Sequence, residues 1–190
     1  MNEKVKDKEF FGKTLLIEFL EKEIEGFDWD KTIELYSTND DLVKVHQLHE
    51  KLVGKENLLF ILSGEDKIVG SFFSRPYPKI NTENIKDSDS FMFLSFGGEE
   101  KEGKEPQDIQ FTKYLPNLAT KSHYLVTEDA YLHHGAVEGK GLPGIKSSFK
   151  NLEYFDIRLP CESYQSGKDN QEIFEGKMRV KYFMVLQAQA

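Results

Sequence analysis

Histidines at a spacing seen in metal sites are the first chemical feature of this sequence. His46 and His49 stand in a segment of helical periodicity, three residues apart, which can bring two imidazoles towards one metal ion. A structural zinc site needs about four ligands, and no cysteine or glutamate in a zinc-protease arrangement completes the set. His49 also falls at the centre of an apolar stripe. The pattern therefore predicts no metal site, and we interpret His49 as a core histidine hydrogen-bonded to the backbone.

A second pair of histidines precedes a glycine-rich stretch. His133 and His134 are adjacent at the end of a predicted strand, and neighbouring strand residues point to opposite faces, so the two cannot act at one site. The stretch 135–144 is rich in glycine, but a phosphate-binding loop needs glycines at set positions and a helix after them. A strand-like segment follows instead. We interpret these glycines as tight turns between strands, not as a nucleotide site.

Cys161 is the single cysteine, so no internal disulfide can form. It lacks a basic neighbour in the sequence that would stabilise a thiolate, and the carboxylate of Glu162 opposes one. No Gly-x-Ser-x-Gly motif marks an activated serine, and no pair of carboxylates stands apart from the other acidic residues. The sequence thus predicts no catalytic residue, no cofactor and no enzyme activity. A redox enzyme that uses Cys161 is kept as the third hypothesis.

The balance of charge limits the class of partner. The 190 residues carry 33 acidic and 25 basic side chains, which gives a net charge of −8. Nucleic acids and anionic lipid surfaces favour clustered Lys and Arg, so neither is the expected partner, whereas a basic protein surface would be tolerated. No apolar run is long enough to cross a membrane, and residues 1–9 do not resemble a secretion signal. We therefore expect a cytoplasmic protein without direct membrane insertion.

The elements that position any binding residue begin with a predicted helix over 7–25, ended by Gly26. Its apolar residues form two stripes on roughly opposite sides, whereas a surface helix needs only one. The first stripe comprises Phe11, Leu15 and Phe19. The second, which we predict to be a partner contact, comprises Phe10, Ile17, Leu20 and Ile24. The alternative is that the helix is covered on both sides and buries both stripes within the chain.

Beyond this helix the pattern is mostly that of strands. A second helix, capped near Thr38 or Asn39 and ended by Gly54, carries a single apolar stripe. Strands are predicted at 32–36, 58–62, 68–74, 91–96, 109–114, 123–127, 130–133, 143–147 and 178–187. A turn of helix is predicted over 168–175 and a solvated loop over 99–107. The sequence predicts a mostly β (α+β) fold, a β-sandwich with peripheral helices.

Several segments, taken together with their order and spacing, resemble one known family. The stretch 33–41 is similar to its opening strand and turn, and Leu48-His49-Glu50-Lys51 to its Phe-His-x-Lys segment. Further similar segments are 58–62, 68–72, 88–94, 143–145, 159–164 and 178–186. On these residues the chain resembles the TLDc domain over about 33–186. It departs from the family pattern at Leu52, where the family has a cysteine, at Ser71, where it has a second glycine, and at 184–186, where it has Glu-Val-Trp.

The resemblance implies a two-sheet antiparallel β-sandwich with helices at its side. We place this domain at 31–190, after an N-terminal amphipathic helix and lead-in over 1–30. The resemblance also implies a non-catalytic protein–protein interaction module, because family members are associated with the vacuolar-type proton ATPase (V-ATPase) and with oxidative stress. Regulation of that pump is therefore the leading hypothesis, with one or more proteins as partners. The alternative is a structural subunit of a large cytoskeletal or ciliary assembly.

Overall fold

The computed structural model describes residues 4–38, 45–79, 87–96, 109–116 and 174–188, together with the strands 124–125, 132–137, 144–149, 154–159 and 164–166. Within these residues the chain is mostly β, with α-helices α1 (Lys13–Glu23) and α2 (Val45–Leu52). Single 3-10 turns, Val5–Asp7 and Trp29–Lys31, flank α1. Neither described helix is both long and apolar enough to cross a membrane. The expected loop 99–107 and the start of the second helix lie outside the described residues.

A sheet of seven antiparallel strands dominates the fold. Its strand order is β1-β12-β2-β3-β4-β5-β10, so the last strand lies between β1 and β2. The predicted strands 58–62, 68–74 and 91–96 are confirmed as three neighbours at the centre of this sheet. The bounds of its strands are β1 Ile33–Ser37, β2 Leu58–Ser63, β3 Ile68–Phe73, β4 Phe91–Phe96, β5 Gln110–Pro116, β10 Tyr164–Ser166 and β12 Tyr182–Gln187.

Five further strands pair in the order β11-β9-β8-β7-β6. Their bounds are β6 Tyr124–Leu125, β7 Leu132–Val137, β8 Gly144–Phe149, β9 Tyr154–Leu159 and β11 Phe174–Arg179. The predicted single strand 178–187 is wrong, because β11 and β12 belong to different sheets and are separated by Val180 and Lys181. The helical turn expected over 168–175 is also wrong at its end, where β11 has already begun. That the two sheets face each other as a sandwich remains a prediction.

The central strands β2 and β3 are buried on both faces of the seven-stranded sheet, which explains their near-continuous apolar runs. On one face, here called the α1 face, Leu59, Phe72 and Phe93 pack with residues of α1 and of the 3-10 turns. On the opposite face, Phe60, Leu94 and Val185 pack with α2. Met178 of β11 belongs to the cluster on the opposite face as well, which places one residue of the second set of strands there.

Helix α1 is shorter than predicted because the backbone leaves the helical conformation at both ends. Gly12 precedes it with a left-handed φ of 71°, and Ile24 follows it in an extended conformation with φ −115° and ψ 113°. The apolar side chains between residues 13 and 23 then form one broad arc around the helix axis. At 100° per residue this arc spans about 200°. Leu16 and Leu20 lie at its centre and are fully buried.

The prediction of two separate stripes on α1 is therefore wrong. What the sequence presents as two stripes are the two flanks of one face: Phe19 lies on one side of the Leu16–Leu20 line and Ile17 on the other. Both flanks are half-buried and pack against the same hydrophobic cluster. The narrow remainder of the helix is polar and exposed, and consists of Thr14, Glu18, Glu21 and Lys22.

Gly70 allows the closest approach of backbone and side chain within the sheet. It lies in β3 opposite Phe93 of β4, on the α1 face. A Cβ atom built at this position would overlap both the carbonyl oxygen of Phe60 and the ring of Phe93. The aromatic ring therefore covers the space that a side chain at position 70 would otherwise fill, and the strand needs glycine here.

Candidate functional site

The histidine with metal-ligand spacing lies in the core. His49 is fully buried, its ring stacks on Tyr77 with centroids 5.8 Å apart, and a hydrogen bond of 2.8 Å joins its Nδ1 to Tyr77 Oη. His46, three residues earlier in α2, is exposed. The interpretation of His49 as a core histidine is confirmed, although this hydrogen bond is to a side chain and not to the backbone. Across the described ranges, no group of three or more His, Cys, Asp or Glu side chains could hold a metal ion.

The other residues considered for chemistry are placed only in part. His133 and His134 lie in β7, where Ser148 and Ser147 of β8 are their pairing partners. The strand continues to Val137, so the histidines do not end it and Gly135 is a strand residue. Ala136 and Val137 continue β7 and Gly144 begins β8, whereas residues 138–143 of the glycine-rich stretch and Cys161 lie outside the described residues.

Asp87 is a buried carboxylate that the sequence reasoning did not single out. Its two oxygens accept hydrogen bonds from the backbone N–H groups of Ser74, Arg75 and Asp89 and from the Ser74 hydroxyl, at 2.7–3.2 Å. Its own carbonyl accepts from the Ser90 hydroxyl at 2.7 Å. A signal was present, since Asp favours turns in which its side chain bonds the backbone N–H two residues ahead. Asp87 is a structural residue that fixes the turn leading into β4.

Lys6 is a second buried charged residue. Its Nζ donates to the carbonyls of Trp29 and Thr32 and to the Thr32 hydroxyl, at 2.8–3.1 Å. In return, its carbonyl accepts from Trp29 Nε1 at 3.2 Å, and its N–H donates to Glu34 Oε1 at 2.9 Å. These bonds attach residues 5–7 to the segment after α1, which keeps the 3-10 turns packed over the α1 face. Lys6 is therefore not placed to act on a substrate.

The four residues predicted to contact a partner have different surroundings. Leu20 is fully buried against the sheet, so its prediction as a contact is wrong for the folded chain. Phe10, Ile17 and Ile24 are half-buried, and each packs partly against the α1-face cluster. Phe10 borders a cavity before the start of α1, and Ile24 borders another after its end. For these three residues partner contact remains a prediction.

The cavity after the end of α1, here called the α1 groove, has a volume of about 560 Å³. Its apolar lining comprises Ile24, Phe72, Phe91 and Leu115. Phe72 and Phe91 are almost completely buried, whereas Leu115 is 46 % exposed although it is a large hydrophobic residue. Residues 111, 113 and 115 lie on the same side of β5, because every second residue of a strand shares a face. Leu115 therefore belongs to the part of the α1 face that α1 does not cover. The groove therefore contains apolar surface that nothing in the described chain shields from water.

The α1 groove carries more negative than positive charge. Its lining includes three carboxylates, of Glu23, Glu25 and Asp89, and one ammonium group, of Lys113. Lys113 Nζ forms an ion pair of 2.9 Å with Glu23 and lies 4.6 Å from the centroid of the Phe91 ring. Glu25 and Asp89 are exposed and form no ion pair within the described residues. The α1 groove thus combines an apolar surface with two uncompensated carboxylates.

Asn57 borders the same groove with an unusual backbone. Its φ of 56° places it in the left-handed region, which residues other than glycine rarely adopt and Asn adopts most easily. Its backbone is held in place, since its carbonyl accepts from Ala188 N at 2.9 Å. Its side-chain amide makes no hydrogen bond within the described part of the chain. An amide both donates and accepts, so Asn57 can bind the main chain of a ligand.

A second cavity of about 650 Å³ borders the residues before α1. Phe10, Phe11 and Tyr182 supply its aromatic side chains, and Glu65, Asp66 and Lys181 its charged groups. Lys181 Nζ lies 5.6 Å from the ring centroid of Tyr182. Burial lowers the pKa of the neighbouring Lys67 below 10.5, an effect that Asp66 partly opposes. The cavity is more polar than the α1 groove, and its carboxylates and ammonium group are more nearly balanced.

One protein family matches the chain over almost the whole described fold. A family model described as the TLDc domain matches residues 7–182, from the 3-10 turn before α1 to the first residue of β12. No curated protein matches the chain significantly. The matched range contains α1 and every residue that lines the α1 groove.

Proposed function

The chain belongs to the TLDc family, and we propose on this premise that it is a non-catalytic protein–protein interaction module. The proposal is supported by the surroundings of the candidate residues: His49, Asp87 and Lys6 are each buried in bonds that hold the fold together. The described surface carries a cavity at each end of α1.

The observation that carries the proposal is the α1 groove. Leu115 is a large apolar side chain that is 46 % exposed, and it lines a concave surface together with Ile24. Exposed apolar surface that is contiguous and rimmed by polar groups marks sites of protein association more often than single exposed residues do. Protein–protein interfaces commonly have such an apolar centre inside a polar rim.

The partner we propose is the vacuolar-type proton ATPase, with a regulatory effect on the pump and through it a role in oxidative stress. The test uses purified pump in proteoliposomes and the intact chain. We expect the chain to co-sediment with the proteoliposomes and to change the rate of proton uptake. A Leu115→Ser variant should lose both effects, while Val53→Ser, at an apolar side chain that is 38 % exposed after α2, should retain them. Equal behaviour of the two variants would contradict the role of the groove.

A structural subunit of a cytoskeletal or ciliary assembly is the second candidate. The observation that favours it is the presence of a cavity at each end of α1, because a subunit held between two neighbours needs two contact surfaces. Cell fractionation separates the two candidates. A structural subunit stays with insoluble assemblies after a salt wash, whereas a pump regulator follows vesicle membranes.

The arrangement of the two sheets is part of the same proposal. We infer that the β6–β9 and β11 strands cover the opposite face of the seven-stranded sheet as the second layer of a β-sandwich. The support is Met178 of β11, which is nearly buried and packs in one cluster with Phe183 and Val185 of β12. Nuclear Overhauser contacts between the Met178 methyl group and Tyr114 of β5 are the measurement that tests this layer.

A further inference from the structure

We propose that the α1 groove binds a basic amphipathic segment of a partner protein. One aliphatic side chain of that segment lies between Ile24 and Leu115, and Lys or Arg side chains lie at Glu25 and Asp89. This inference rests on the proposed interaction function and specifies the chemistry of the ligand that the groove recognises.

The apolar part of the groove determines what is inserted. Phe72 and Phe91 form a floor that is already buried, so the surface still available to a ligand belongs to the walls, Ile24 and Leu115. A volume of about 560 Å³ is ample for a few side chains and lies in the usual range of ligand sites. An aliphatic side chain placed here covers Leu115 and removes apolar surface of both molecules from water.

The charges of the groove determine which segment is accepted. Lys113 is already engaged by Glu23 at 2.9 Å and by the Phe91 ring, so Glu25 and Asp89 have no cationic partner among the residues that the structure describes. A cationic side chain is attracted to these carboxylates and an anionic one is repelled. The net charge of −8 acts in the same direction at longer range, because it attracts a basic partner before contact.

The groups that meet the ligand are held in place before it binds. The backbone N–H of Asp89 donates to the buried Asp87 carboxylate at 3.1 Å, which fixes the backbone from which the Asp89 side chain extends on the rim. Asn57 is fixed through its carbonyl and presents an amide that can bond the main chain of an extended segment. A site that is ordered in advance loses less conformational entropy when the ligand binds.

The experiment uses the intact chain with methyl-labelled Ile and Leu and a short synthetic peptide of Leu and Lys in an amphipathic pattern. We expect the peptide to shift the methyl resonances of Ile24 and Leu115, and the counterpart with Glu in place of every Lys to leave them unchanged. The double substitution Glu25→Lys/Asp89→Lys should weaken peptide binding by about tenfold or more, because two attractions become repulsions.

The matched control is Glu18→Lys/Glu21→Lys, which reverses two exposed carboxylates on the outer side of α1 and leaves the groove unchanged. It should change the affinity by less than about threefold, since isolated exposed pairs contribute little. Equal weakening by both double variants, or binding of the Glu peptide, would overturn the inference in favour of general electrostatic attraction. A Leu115-dependent dimer in the absence of peptide would overturn it in favour of a second copy of the chain.

The result is separable from the test of the proposed function. If the chain binds the proton pump but Glu25→Lys/Asp89→Lys leaves that binding intact, the interaction function stands and the groove inference fails. If the Lys peptide binds in the groove but the chain has no effect on the pump and follows no vesicle membrane, the groove inference stands and the proposed partner fails.

Discussion

Replacement of Gly70 by alanine tests the packing of the α1 face most directly. The added Cβ would overlap the Phe60 carbonyl oxygen and the Phe93 ring. The Phe93 ring has neighbours on the α1 face, because Phe19 and Phe111 lie 5.5 and 6.1 Å from it between ring centroids. The Phe60 carbonyl is part of β2, which pairs with β3. Neither group can move away without disturbing the centre of the sheet.

The expected loss of stability follows from two opposing terms. Overpacking a core costs about 1–3 kcal/mol, and the upper end applies because one obstacle is backbone. The lower entropy of the unfolded alanine chain returns about 0.4–1 kcal/mol. We therefore expect Gly70→Ala to lower the free energy of unfolding by about 2–3 kcal/mol, which corresponds to a fall in Tm of roughly 4–12 °C for a chain of this size.

Urea unfolding followed by circular dichroism measures this loss, and Gly54→Ala is the matched control. Gly54 has a φ of 81° but no atom within 4 Å of an added Cβ, so its substitution introduces backbone strain without overlap. That strain costs about 1 kcal/mol. The double variant Gly70→Ala/Phe93→Leu should be more stable than the sum of the single losses predicts, because the two sites share a contact. A Gly70→Ala variant as stable as Gly54→Ala would refute the reasoning.

Three further predictions concern the surroundings of the α1 face. Phe19 is half-buried and stacks on Phe111 at 5.1 Å between centroids, so Phe19→Ala should lower stability by about 2 kcal/mol, measured by urea unfolding with Thr14→Ala as an exposed control on the same helix. Asp87→Asn replaces an oxygen that accepts backbone N–H groups with an amide that donates, and should cost about 2–3 kcal/mol; an unchanged urea midpoint would contradict the role of Asp87 in the turn. Burial lowers the pKa of Lys67 below 10.5, so the folded chain binds fewer protons than the unfolded chain just below that pH, and stability should rise with pH there; Lys67→Met should flatten this rise in a thermal-unfolding series at alkaline pH.

The central strands could be predicted well because their signal, a short apolar run, lies within each strand's own sequence. β2, β3 and β4 are near-continuous apolar runs bounded by turn residues, and such runs indicate strands buried on both faces. The boundary between β11 and β12 was missed because a local pattern does not show which strand each segment pairs with. Apolar and polar residues alternate through it, and only the pairing partners, Leu159 for Phe174 and Ser63 for Tyr182, reveal that the chain changes sheet.

The apolar surface of α1 was divided into two stripes because Leu16 was included in neither of them. Leu16 lies between the two flanks of the helix, and its inclusion joins them into one face. The α1 groove was beyond prediction in a different way. Ile24, Asp89 and Leu115 are far apart in the sequence, and only the packing of α1 beside β5 brings them together. The one local signal was Ile24, which appeared among the predicted contact residues.

The position of β12 between β1 and β2 has a consequence for synthesis of the chain. A ribosome releases β1 and β2 long before residues 182–187, so these two early strands must wait for the last one before the sheet can close. Until then, both carry unpaired backbone groups and apolar side chains, which makes them prone to pairing with other chains. A product truncated before Tyr182 would keep those edges permanently open. Such fragments should accumulate as aggregates or be degraded, and the sheet should close only after residues 182–187 have left the ribosome, at the slow rates typical of long-range strand pairing.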